Sequence, residues 1–132
     1  MKLLLTIFLQ IIYFSLIGQE YINSFDKIDA DNDYDNIYVK KLSSESNATT
    51  FAIWIKKSVR LHKHIEHIEN VYIAEGNGDF QLGDTIYNVK TGDLIVIPKN
   101  TWHGVIVNSQ KPMKVISIQS PEFHGKDRIF KK

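Results

Sequence analysis

The sequence predicts an all-β protein, an antiparallel sandwich or barrel, on three grounds. From residue 37 onward, short runs rich in β-branched and aromatic residues recur at regular spacing. Gly, Asp, Asn and Pro separate these runs where hairpins would reverse. Helical periodicity is almost absent from the same stretch. A length of 132 residues suits one core and leaves no room for a second catalytic domain.

Residues 1–18 read as a secretory signal peptide. Met1-Lys2 supplies a positive start, residues 3–17 are uncharged and apolar apart from Thr6, Gln10 and Ser15, and small Gly18 precedes polar Gln19-Glu20. An uncleaved anchor is disfavoured because about 20 apolar residues are wanted to span a bilayer. A secreted or periplasmic location, with cleavage near Gly18 and no membrane span in the mature chain, is the expectation.

Residues 19–36 form an acidic arm. Asp26, Asp29, Asp31, Asp33 and Asp35 invite a calcium-loop reading, but the spacing refuses it. Counting from Asp29, the tight-turn Gly is Tyr34 and the closing acid is Lys40; counting from Asp31, those places hold Asn36 and Leu42. A solvated, mobile arm is expected instead. Asn47-Ala48-Thr49 fits a glycosylation triplet, a pattern common by chance.

Residues 37–119 form the barrel. The strand runs are Ile37-Tyr38-Val39, Phe51-Ala52-Ile53-Trp54-Ile55, Val71-Tyr72-Ile73, Thr85-Ile86-Tyr87-Asn88-Val89, Leu94-Ile95-Val96-Ile97, Val105-Ile106-Val107 and Val115-Ile116-Ser117-Ile118. The turns fall at Gly76-Asn77-Gly78-Asp79, Gly83-Asp84, Thr91-Gly92-Asp93, Pro98-Lys99-Asn100 and Asn108-Ser109-Gln110. Trp54 and Trp102 are packing residues on the ordinary reading of aromatics in strands.

The chemistry is concentrated in His62-Lys63-His64-Ile65-Glu66-His67-Ile68-Glu69. The absence of cysteine excludes disulfides, thiolate ligands and a Cys nucleophile, so any metal must be held by nitrogen and oxygen. On a strand, His62 and His64 face one side while Leu61 and Lys63 face the other. A turn through residues 65–68 could swing Glu69 beside them. His103, after the turn Pro98-Lys99-Asn100, could return on a neighbouring strand. Three neutral imidazoles and one carboxylate would leave open positions on a divalent ion, as metal-assisted chemistry requires.

At these residues the chain resembles the cupin superfamily, specifically its small single-domain (type-2) members. The first motif of that family runs Gly, five residues, His-x-His, three or four residues, Glu, six residues, Gly. Here His62-Lys63-His64, Glu69 and Gly76 match it, with Lys56 in place of the leading Gly. The second motif runs Gly, five residues, Pro-x-Gly, two residues, His, three residues, Asn. Gly92, Pro98-Lys99-Asn100 and His103 follow it, with Asn100 for a Gly and Asn108 one residue late. Asn tolerates positive φ, so Asn100 costs the fold little. The resemblance covers roughly residues 37–118, most of the expected mature chain, and implies a small antiparallel jelly-roll β-barrel holding a metal ion on His62, His64, Glu69 and His103. Retention of all four ligand types argues against a barrel that has lost its metal.

The resemblance implies one divalent transition metal ion (Mn, Fe, Zn, Cu or Ni), with iron or manganese favoured by the family. Metal loading outside the cytosol would favour copper or zinc on intrinsic affinity, and the two arguments disagree. No catalytic residue is assigned. Glu66 and His67 are candidates for proton transfer or for supporting the ligands, and His67 is an alternative ligand, although exposed turn residues are the ordinary reading of both. Residues 120–132, with His124 and Arg128, read as a structural tail in which Phe123 covers a barrel end. The function classes are a metal-dependent enzyme, dioxygenase or isomerase in type, on a small oxygenated molecule such as a sugar, diketone or phenol, and a non-catalytic ligand- or metal-binding module. A small-molecule ligand or substrate is the expected partner. A charge of +1 without a basic block points away from nucleic acid, and pairing of edge strands leaves a homodimer open.

Overall fold

A computed structural model describes residues 24–132; the expected signal segment and the first residues of the arm lie outside them. Ten strands follow a short 3-10 turn at Phe25–Lys27: β1 (Ile37–Glu45), β2 (Ala48–Ile55), β3 (Ser58–Lys63), β4 (Ile68–Glu75), β5 (Asn77–Leu82), β6 (Thr85–Lys90), β7 (Leu94–Ile97), β8 (His103–Val107), β9 (Met113–Ser120) and β10 (Ile129–Phe130). They form two five-stranded antiparallel sheets, one ordered β1-β2-β9-β4-β7 and the other β10-β3-β8-β5-β6. This is the small antiparallel jelly-roll barrel. No helix among the described residues is long and apolar enough to cross a membrane.

Strand parity builds the core. In β4, Glu69, Val71 and Ile73 are buried while Ile68 and Tyr72 face outward, and in β9 Met113, Val115, Ser117 and Gln119 share the inner face. Ile55, Ile73, Phe80, Ile97, Val105 and Met113 belong to the resulting apolar cluster. Removing such side chains from water, at roughly 1.5–3 kcal/mol each, holds the two sheets face to face.

Two segments differ from the sequence reading. Gly76-Asn77-Gly78-Asp79, expected as a turn, turns only at Gly76 (φ 89°), and β5 starts at Asn77. Gly78 lies in the strand because a Cβ there would sit 2.4 Å from the Ile106 carbonyl oxygen. The arm is largely exposed as expected, but it is tied down rather than free. Asp31 accepts hydrogen bonds from the Tyr38 hydroxyl (3.0 Å) and Lys40 Nζ (2.6 Å). Asn36 Oδ1 accepts from the backbone N–H groups of Lys57 (2.9 Å) and Ser58 (3.1 Å). Lys114, buried on the outer face of β9, donates to the Phe25 carbonyl at 2.7 Å and lies over the Phe25 ring.

Candidate metal centre

The β3–β8 ladder places His62 directly opposite His103, with ring centroids 4.2 Å apart. His64, two residues further on the same face, lies 5.2 Å from His62 and 5.4 Å from His103 by ring centroids. Glu69 arrives from β4 in the other sheet, its Oε2 3.4 Å from His64 Nε2 and 3.2 Å from His103 Nε2. All four side chains are buried, and one ligand atom from each lies within 4.8 Å of the others. Among the described residues this is the group of acidic and imidazole side chains close enough to share a metal ion. The described part of the Asp-rich arm forms no such group.

The tautomers are set by the backbone. His62 Nδ1 donates to the Arg60 carbonyl at 2.8 Å, His103 Nδ1 to the Thr101 carbonyl at 2.9 Å, and His64 Nδ1 to the Asp127 carbonyl. A carbonyl only accepts, so each Nδ1 carries the hydrogen and each neutral ring keeps its lone pair on Nε2. His64 Nε2 and His103 Nε2 are buried without a hydrogen-bond partner. A buried polar atom left without a partner costs about 1–3 kcal/mol. Two lone-pair nitrogens facing one carboxylate oxygen are the donor set that a divalent ion satisfies, so the residues present fit the group that the resemblance implies.

Electrostatics keep His62 and Glu69 in ligating form. Burial lowers the His62 imidazole to about 4, with the neighbouring His103 ring adding to the effect, so the ring is neutral at pH 7. Burial alone would raise the Glu69 carboxyl, but contacts with His103 and His64, and then the Ser117 hydroxyl, outweigh it and hold the carboxyl below its ordinary range. Ser117 Oγ donates to Glu69 Oε1 at 2.5 Å and Gln119 Nε2 at 3.4 Å, which leaves Oε2 facing the imidazoles.

Glu66 and His67 sit elsewhere. Glu66 is exposed in the turn, but His67 is buried, against the expectation of an exposed residue. Both His67 nitrogens are engaged, Nδ1 with Asp127 Oδ2 at 2.7 Å and Nε2 with the Glu122 carbonyl at 3.1 Å. Both residues line a surface hollow between the turn and the tail, outside the barrel cavity. Asp127 is the residue that sequence reasoning missed. Its carboxylate accepts the backbone N–H groups of Ile65 (2.9 Å), Glu66 (2.8 Å) and His67 (3.2 Å), so the tail clamps the turn that joins His64 to Glu69. No periodicity or spacing links residue 127 to residue 65. Phe123 packs edge-on against His64 and His67, and β10 adds to the sheet beside β3.

His62, Glu69 and His103 open onto a cavity of about 260 Å³ between the sheets. Its body is apolar, drawn from Ile55, Ile73, Phe80, Val105, Met113 and Val115 among others.

The profile described as Cupin domain matches residues 50–119. This chain belongs to the cupin family. An uncharacterised protein of Aquifex aeolicus is 32% identical over 95 residues, covering 72% of this chain and 78% of that protein. One from Methanocaldococcus jannaschii is 36% identical over 67 residues, covering 51% of this chain and 54% of that protein. Among solved structures, KdgF from Halomonas sp. matches with a TM-score of 0.64 at 21% identity, over 73% of this cupin and 90% of that chain. Pac13, a nucleoside dehydratase from Streptomyces, matches with a TM-score of 0.67 at 17% identity, over 86% and 92%. A Klebsiella pneumoniae protein with a double-stranded β-helix domain gives 0.72 at 14% identity, over 86% and 100%. Likeness at these identities bears on the fold, which is the one the motifs imply.

Proposed function

We propose that this cupin binds one divalent transition metal ion through Nε2 of His62, His64 and His103 and Oε2 of Glu69, and uses it in an oxygen-dependent oxidation of a small organic molecule. The observation that carries the reading is the set of three Nδ1–H bonds to backbone carbonyls, which leaves three Nε2 lone pairs free in a cluster with one carboxylate. When bound, such an ion supplies Lewis acidity and, if redox-active, a means of activating dioxygen.

The chain's own residues then shape, orient and exclude water. The lining is mostly hydrocarbon, with its polar side chains few, and so suits a phenol- or diketone-like body better than a polyhydroxylated sugar. Among the described residues, Glu69 is the only carboxylate lining the cavity and is committed to the ion, and no Lys or Tyr lines it. An isomerisation that moves a proton would lack a protein base, which favours oxidation over isomerase chemistry. The same lack of a free base favours a second reading, a non-catalytic module that uses the ion to dock a ligand. Oxygen consumption over a panel of small phenols and diketones separates them, wild type being compared with a His62→Ala, His103→Ala variant. Oxygen uptake by the wild type alone supports the enzyme, and equal turnover by the metal-free variant refutes it.

Export is part of the proposal and rests on the apolar run of residues 3–17. N-terminal sequencing of the exported protein should find a start near residue 19; a chain retaining Met1 in the cytosolic fraction would contradict it.

A further inference from the structure

We infer that the barrel takes a small carboxylic acid with a hydrocarbon body, its carboxylate held at the cavity mouth by Arg60 and Arg128. The inference rests on the proposed metal centre for what the other end of the ligand meets, and on the mouth itself for the ligand's class.

The mouth lies between two sheet edges. β1 ends one sheet and β10 ends the other, and both contribute to the lining of the one cavity. The cavity lining draws Ile37 and Val39 from β1, and Arg60, Arg128 and Phe130 from the β3–β10 side. Ile37, Val39 and Phe130 are 40%, 46% and 45% exposed, as residues at an opening are.

Both arginines line the cavity. Arg60 lies in the irregular stretch of β3 between Val59 and His62 and lines the cavity from there. Phe130 pairs with His62 in the β10–β3 ladder, which sets Arg128 opposite the position of His64. Neither guanidinium has an ion-pair partner among the described residues. Each rests on an aromatic face instead, Arg60 at 4.9 Å over Phe130 and Arg128 at 5.9 Å over Phe123. Stacking of this kind orients the planar fork and leaves its N–H groups free.

Charge selects the sign of the ligand. Among the described residues Glu69 is the only acid facing the cavity, and a divalent ion beside it makes the centre net positive before the two guanidiniums are counted. A cationic ligand is repelled, and a neutral one gains less at the mouth than an anion does. A carboxylate matches the guanidinium fork in shape and charge. Behind it the cavity is apolar and, at about 260 Å³, slightly below the range of about 300–1,000 Å³ that serves drug-sized ligands, so the hydrocarbon body must be short.

The test uses 3-phenylpropionate and its neutral counterpart 3-phenylpropionamide as probes, titrated calorimetrically into the zinc-loaded protein. Wild type should bind the acid at least about tenfold more tightly than the amide. In an Arg60→Gln, Arg128→Gln variant that preference should vanish, the acid falling to the affinity of the amide; both side chains are exposed, so the fold does not depend on them. A preference that survives in the variant would place the carboxylate on the ion, and equal or absent binding of the acid by wild type would reject the ligand class; each overturns the inference. Zinc content, measured on every sample, scores the metal centre separately: full zinc with no acid preference sinks this inference alone, and zinc-free wild type sinks the metal reading alone.

Discussion

Replacing Asp127 by Asn tests whether the C-terminal tail builds the centre. Burial on its own would raise the Asp127 carboxyl, but the His67 ring and the backbone N–H groups of Ile65 and Glu66 outweigh it and hold the carboxyl at about 2, against an ordinary 3.8. The side chain is only 12% exposed, so solvent screens these bonds little. A depression of nearly two pH units, at about 1.36 kcal/mol each, corresponds to about 2 kcal/mol of folding stability. Because the folded value lies below the unfolded one, that stability is present above about pH 4 and is lost as pH falls from about 4 to about 2. The amide of an Asp127→Asn variant would keep one acceptor oxygen and lose the charge. Urea denaturation of the metal-free protein at pH 7 should show the variant about 2 kcal/mol weaker, with a thermal midpoint about 8 °C lower. The gap should narrow on acidification. His64 hangs from the Asp127 carbonyl and the clamped turn delivers Glu69, so metal affinity should also fall about 10- to 100-fold. Equal stability of the two proteins at pH 7, or a gap that does not change with pH, would refute the clamp.

Other consequences follow from the same geometry. His62 is held at about 4 against 6.5, by burial first and the neighbouring His103 ring second, so the unfolded chain takes up a proton before the folded one does. The metal-free protein should therefore lose about 3 kcal/mol between roughly pH 6.5 and pH 4, and denaturation midpoints of a His62→Gln variant should lack that slope. Asn100 adopts φ 59°, so Asn100→Gly should leave the urea midpoint nearly unchanged while Asn100→Ala lowers stability by about 1 kcal/mol. Ser117→Ala removes the donor that turns Glu69 Oε2 toward the imidazoles and should weaken zinc binding about 10- to 100-fold in competition with a chromophoric chelator. An unchanged affinity would remove Ser117 from the centre.

The strand pattern was legible because burial on one face imposes a period of two, and that parity also joined His62 to His64. His103 was within reach because a turn and a β-branched run flank it, and the ladder sets it opposite His62. β5 was hidden because glycine has two uses. Gly78 reads as a turn residue in sequence, yet it serves a close approach to the Ile106 carbonyl inside a strand. The tail was hidden for a different reason. Asp127 and Arg128 act across some sixty residues of sequence through a two-residue strand, and a contact of that kind leaves no local periodicity. His67 looked free because its partners, Asp127 and the Glu122 carbonyl, belong to that same tail.

The central claim is that His62, His64, Glu69 and His103 hold one ion, and elemental analysis of the purified protein tests it most directly. Wild type should carry close to one transition-metal ion per chain, and the His62→Ala, His103→Ala variant should carry almost none. Undiminished metal in that variant would contradict the assignment.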